Sequence, residues 1–326
     1  MAEPKESREG VTLSSLDSAL FDGSDATKRD LIDYLDAMSD RILPVLEGRP
    51  LSVIRVHRGE GPFMQKNLPK YTPDFVARVT MWAESSRRDV TYAVCDSRPT
   101  LLWFGNQRAV EFHPALATVD RPDRVTHLVL DLDPPEGDDS FAAATAAALL
   151  VKDALASAGL EGALKTSGAK GLHVFVPIQA EEVSPEEAAV ATRAIAERAA
   201  ALDPSVATTA FLKEDREGKV FVDATRTGGA TVVAAYSPRV RPGTPISFPL
   251  AWADLEAGDV VPSSFTIRNA VERLGSSDPW SASMPAPQPL PPSLVDEGRA
   301  LGPPPRVEAM HEGKRRKARA AKKAGT

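Results

Sequence analysis

Asp131 and Asp133 close an apolar run, Leu128, Val129 and Leu130, in the stretch HLVLDLDPPEGDD. A short continuous apolar run reads as a covered strand. Side chains alternate along a strand, so the two carboxylates share one face, roughly 7 Å apart, while Leu132 points to the other. Pro134 lacks an N–H and ends the pairing. Two carboxylates so placed repel each other unless a cation lies between them. A third acid, Asp223, ends the apolar run of GKVFVD. Three carboxylates on neighbouring strand ends would suit Mg²⁺ or Mn²⁺, hard cations that take oxygen ligands and share them with phosphates.

Two further stretches offer phosphate chemistry. In TSGAKGLHVFVPI, Gly168 and Gly171 let the backbone turn and approach a ligand closely. Ser167, Lys170 and His173 bring a hydroxyl, an ammonium and an imidazole around that loop, the donors a triphosphate requires. It is not a Walker A loop, since no G-x-x-x-x-G-K-[ST] occurs. In YSPRVRPGTPIS, Arg239 and Arg241 are two apart and share a face if extended. Paired guanidiniums match phosphate oxygens, and Arg226 lies just beyond Asp223. A D-x-D at a strand end also serves phosphatases that form an aspartyl-phosphate. Here Pro134 and Pro135 occupy the places where those enzymes need a hydroxyl residue.

The elements that must position these groups read as a mixed α/β body. Thr27 to Asp30 opens an amphipathic helix carrying Leu31, Leu35, Met38 and Ile42 on one side and stopping before Gly48. LSVIRV, VTYAVC, THLVLDLD, GLHVFVPI, KVFVD and TVVAAY read as strands. Residues 140–158 form an alanine-rich helix, and Ser184 to Glu187 is a capping box opening a helix to about Leu202. Residues 1–10 are expected to be disordered. Residues 281–305 hold eight prolines and read as a stiff, extended linker. No internal repeat is present.

The bulk numbers narrow the class. A 326-residue chain with 42% hydrophobic residues can bury a sizeable core. No apolar run approaches the roughly 20 residues a membrane helix needs, so no membrane partner is expected. The polar start, MAEPKESREG, and a single cysteine, Cys95, point to a cytoplasmic protein without disulfides or a cysteine zinc site. Residues 311–326 hold seven Lys or Arg against one Glu, a segment of +6, so the remainder carries −12 of the net −6. Such a basic tail binds nucleic acid without sequence preference, or is a solvated end.

Taken together, HLVLDLDP, TSGAKGLHVFVP, GKVFVDATRTGGATVVAAYSPRVRPGTP and PLAWADL resemble the polymerase domain of bacterial ligase D, in the archaeo-eukaryotic primase superfamily. ATKRDLIDYLDAM, GRPLSVIRV, GPFMQKN and VEFHP fall in the family's order upstream. The resemblance covers roughly residues 11–275, with 276–310 as linker and 311–326 as tail. It is to the stand-alone members, since no K-x-D-G ligase motif follows. It implies an α/β primase-like core of mixed sheets flanked by helices. It also implies a template-dependent nucleotidyltransferase that fills gaps or processes ends in repair such as non-homologous end joining, favouring ribonucleotides. The alternative is a catalytically weak DNA-end or gap-binding module that recruits a ligase.

By that resemblance Asp131, Asp133 and Asp223 bind two Mn²⁺ or Mg²⁺ ions, and Ser167, Lys170 and His173 hold the incoming nucleoside triphosphate. Arg226, Arg239, Arg241, His113 and Lys66 belong to the nucleotide and template pocket, and Lys28, Phe63 and Met64 to DNA. The implied partners are DNA with gaps or ends, nucleoside triphosphates, a separate ligase and a Ku-type end-binding protein, with the chain itself a monomer. Three departures stand out. Met64 follows Phe63 where the family shows two aromatics, Ser18 stands where a second 5′-phosphate lysine is expected beside Lys28, and Thr227 replaces a polar amide.

Overall fold

The computed structural model describes residues 6–57, 59–83, 87–229, 231–258 and 260–302. In chain order the first half holds β1 (Ser7–Arg8), β2 (Val11–Thr12), α1 (Lys28–Ala37), α2 (Ser39–Leu46), β3 (Pro50–Arg55), β4 (Phe63–Gln65), β5 (Ala77–Ala83), β6 (Arg88–Val94), α3 (Arg98–Asn106) and β7 (Ala109–Pro114). The second half holds β8 (His127–Asp133), α4 (Ser140–Ser157), β9 (Ala163–Thr166), β10 (Leu172–Pro177), α5 (Pro185–Leu202), β11 (Ala207–Thr208), β12 (Val220–Asp223), β13 (Pro249–Leu250), α6 (Trp252–Ala257), α7 (Ala270–Leu274), α8 (Pro279–Ser283) and α9 (Pro292–Ala300).

An antiparallel five-stranded sheet and a mixed six-stranded sheet share one continuous core. The second carries the chemistry. Its order is β11-β12-β8-β10-β9-β13, antiparallel except for β11 against β12. Alternation decides which face does what. Leu128, Leu130 and Leu132 of β8 and Leu172, Val174 and Val176 of β10 are fully buried toward α4 and α5. Asp131, Asp133 and His173 therefore take the other face, which the first sheet and the 232–247 segment leave partly open. In the first sheet β3 is central, pairing with β4, β6 and β7.

Several expectations need correcting. The helix begun by the Thr27–Asp30 capping box breaks after Ala37 and restarts at Ser39, although Leu31, Leu35, Met38 and Ile42 all reach the core. TVVAAY is not a strand. It runs buried between the two sheets and splits its bonds among partners, Ala234 N–H to Phe112 and Tyr236 N–H to Ser247, so no ladder forms. Part of the supposedly disordered start is ordered: β1 and β2 form a hairpin fastened by Arg8 to Asp33 at 2.6 Å and Asp36 at 3.3 Å.

The proline-rich stretch is not an extended linker up to Gly302. Pro279 and Pro292 sit at helix starts, where a missing N–H costs nothing. Gln288 bridges to Ile178, and α9 buries Leu294 and Val295 against α5. The basic tail lies outside the described residues. Against the expectation of no membrane-length apolar run, α4 is long and apolar enough by length and composition. Its Ala144, Ala147, Ala148, Val151, Ala154 and Leu155 nevertheless form one buried stripe, as in a core helix.

The two loop glycines are needed for close packing within the chain. A Cβ on Gly171 would lie 2.2 Å from the Leu132 carbonyl, where the loop enters β10 beside β8, the strand of Asp131 and Asp133. Gly168 has φ +69° and its Cβ would meet Arg239 Cγ at 2.5 Å. Gly171→Ala is therefore expected to cost about 2 kcal/mol or more through overpacking. Urea unfolding would read it, and an unchanged midpoint would mean that β8 yields freely.

Candidate active site

Antiparallel register builds the site. Asp131 on β8 faces Asp223 on β12 to one side and His173 on β10 to the other, and His173 in turn faces Lys165 on β9. One row therefore crosses four strands in the order Asp223, Asp131, His173, Lys165, all on one face of the sheet. A cleft of about 350 Å³ lies over it, lined by Asp131, Asp133, Asp223, the Ser167–Gly171 loop, His173 and Arg216, Arg226, Arg239 and Arg241.

Cations already lie among the acids. Arg226 reaches Asp131 at 2.8 Å and Asp223 at 3.5 Å, and Arg216 reaches Asp133 at 2.9 Å. Asp223 also accepts the Thr225 N–H at 2.8 Å. Burial alone would raise the Asp131 carboxyl, but His173 and Arg226 outweigh it and hold it well below the usual carboxylate range. Burial and the nearby Lys165 charge lower His173 to about 4, so the ring is neutral at physiological pH. Among the described residues no three acids or histidines are gathered at metal-ligand spacing. The donor set still fits a hard divalent cation: three carboxylates, two of them largely buried, on one sheet face and neutralised only by side-chain cations.

The Gly loop is stapled from within. Ser167 Oγ accepts the Ala169 and Gly171 N–H groups, both at 3.2 Å, which leaves its own proton to donate into the cleft. Lys170 Nζ stands at the mouth, donating to Pro134 O at 2.7 Å and Glu136 at 2.9 Å, with Asp133 at 3.6 Å. Arg239 donates to the Ser167 carbonyl and pairs with Glu111 at 3.1 Å, while Arg241 is exposed at the rim.

The remaining candidates lie farther out. His113 does not line the cleft. It meets Glu111 at 2.9 Å and connects to the site through Glu111 and Arg239. Lys66 is exposed just past β4. Phe63 stacks on His57 with centroids 4.9 Å apart, and Met64 is 45% exposed beside it. Lys28 is buried at the start of α1 and donates to Ser14 O at 2.6 Å. Burial and the charge of Arg108 lower it to about 8. Arg108 also donates to Ser18, the residue standing where a second lysine is expected.

Three residues of the site escape the sequence reading. Glu111 had a signal, its i, i+2 spacing with His113 on one strand face. Lys165 had another, a lysine inside the apolar run ALKT. Arg216, in the polar turn KEDREGK, had none.

Comparison with known proteins places this geometry. The family described as LigD, primase-polymerase domain, matches residues 27–280. The bifunctional non-homologous end joining protein LigD of Bacillus subtilis (strain 168) is 35% identical over 267 residues, 81% of this chain and 42% of that protein. The multifunctional non-homologous end joining protein LigD of Mycobacterium bovis is 34% identical over 261 residues, 77% of this chain and 34% of that protein. The chain thus spans about a third to two-fifths of the length of these relatives. Among solved structures, the polymerase domain from Mycobacterium tuberculosis ligase D in complex with DNA superposes with a TM-score of 0.75 at 31% identity, covering 84% of this chain and 99% of that one. A family match across most of the chain, with the same fold in a solved relative, shows that the chain belongs to the LigD primase-polymerase domain family.

Proposed function

We propose that this chain is a template-dependent nucleotidyltransferase that adds nucleotides, ribonucleotides preferentially, at gaps or ends of DNA during repair such as non-homologous end joining. The observation that carries the reading is the row of Asp223, Asp131 and His173 with Asp133 beside it, facing a loop of phosphate donors. Asp131, Asp133 and Asp223 would hold two divalent cations, which when bound lower the pKa of a primer 3′-hydroxyl and stabilise departing pyrophosphate. Ser167, Lys170 and His173 donate to triphosphate oxygens. Arg239 orients the loop through the Ser167 carbonyl, and Arg226 balances the acids until the site is filled.

Incubation with a gapped duplex, Mn²⁺ and labelled nucleotides tests the reading. Templated addition supports it, whereas gap binding without addition would leave a ligase-recruiting module, and neither would reject both. Matched UTP and TTP then test the sugar preference. Faster addition of UTP is expected from family membership, and a clear preference for TTP would reject it.

A further inference from the structure

Lys165 is a lysine with no access to water, in the middle of a sheet. Such a group is expensive to bury and is kept only where it is satisfied. Its Nζ lies 2.7 Å from His173 Nδ1 and 2.7 Å from Ser247 Oγ. Ser247 spends its own proton on the Thr166 carbonyl at 2.6 Å, so its oxygen accepts from Lys165. A second Lys165 N–H then points at His173 Nδ1. The reverse arrangement, with Nδ1–H donating to an amine, would set a bare Nε2 against Asp131 Oδ1 at 3.3 Å, acceptor against acceptor. For a neutral His173 ring the consistent chain runs Lys165 to Nδ1 and Nε2–H to Asp131 at the floor of the cleft.

We propose that Lys165 is a positioning residue, which fixes His173 in the tautomer carrying its proton on Nε2 and so keeps an N–H donor aimed at the triphosphate oxygens. The inference rests on the nucleotidyltransferase reading for its benefit to activity, but the tautomer itself does not. It explains why the polar row continues one strand beyond His173, two beyond the acids. Lys165 acts entirely through the ring, since His173 stands between it and Asp131.

Lys165→Met tests this. Methionine fills a similar volume without a charge, and replacing a buried charge by an apolar group commonly preserves or raises stability. Long-range ¹H–¹⁵N spectra, with the His173 signals assigned from H173Q, should show the Nε2–H tautomer in the wild-type chain and lose it in K165M. The apparent KM for UTP on a gapped duplex should rise about tenfold, the worth of one good hydrogen bond, with a thermal midpoint no lower than wild type. In an H173Q background, K165M should add nothing further. An unchanged tautomer in K165M, or additive losses in the double variant, would overturn the proposal. Absence of nucleotide addition by the wild-type chain would defeat the nucleotidyltransferase reading instead, and the spectra would still decide the tautomer.

Discussion

Asp131→Ala is expected to reduce nucleotide addition at a gapped duplex by a hundredfold or more while the chain stays folded. Asp131 is the centre of the row. It touches His173 and Arg226 directly and stands opposite Asp223 across the β8–β12 ladder. Two-cation stabilisation of developing charge is worth several kcal/mol, and a hundredfold corresponds to about 2.7 kcal/mol. The fold should survive because the hydrophobic weight of β8 rests on Leu128, Leu130 and Leu132, which point away from the acids. Arg226 keeps Asp223 as a partner when Asp131 is gone. Single-turnover addition with Mn²⁺, read beside the thermal midpoint, separates chemistry from stability. A folded D131A chain that extends a primer at close to the wild-type rate would sink the assignment of the acids to metal.

The acids were legible in the sequence because two local rules coincided at them. An apolar run declared the strand, and period-two alternation put Asp131 and Asp133 on one side, as the structure has them. Asp223 was legible for the same reason, a carboxylate closing VFVD. What local rules could not show was who stands beside whom. Lys165 reaches the site only through the β9–β10 register, and Glu111 only because Arg239 arrives from a segment 128 residues later in the chain. TVVAAY failed for a related reason: it has a strand's composition but lies between two sheets, where its N–H groups find separate partners. The proline-rich stretch misled because Pro292 starts a helix here, as Pro279 does just before it, and whether a proline starts a helix or extends a linker depends on what the next turn can pack against. For α9 that is α5, close enough that a Cβ on Gly298 would meet the Val190 carbonyl at 2.0 Å.

Glu111→Gln is expected to cost on the order of 3 kcal/mol at neutral pH, with a loss that shrinks in acid. Glu111 is buried and ties β7 to the 239–240 segment: it pairs with Arg239 at 3.1 Å, meets His113 of its own strand at 2.9 Å and accepts the Val240 N–H at 3.0 Å. Burial opposes its ionisation, but His113, Arg239 and the Val240 amide outweigh burial and lower its carboxyl to about 2 from an ordinary 4.5. A shift of that size is worth about 3 kcal/mol. Because the folded carboxyl is the more acidic one, this stabilisation is complete above about pH 4.5, declines as pH falls below it, and is gone below about pH 2. The glutamine variant keeps an acceptor for Val240 and loses the charge that Arg239 needs, so the wild-type advantage should be full at pH 7 and visibly smaller by pH 3.5. Urea unfolding of both chains at pH 7, 5, 4 and 3.5 measures it. A gap between the two that stays constant over that range would mean the Glu111 charge stabilises nothing. A gap that closes in acid would tie the fold to the same Arg239 that holds the Ser167 loop over the acids.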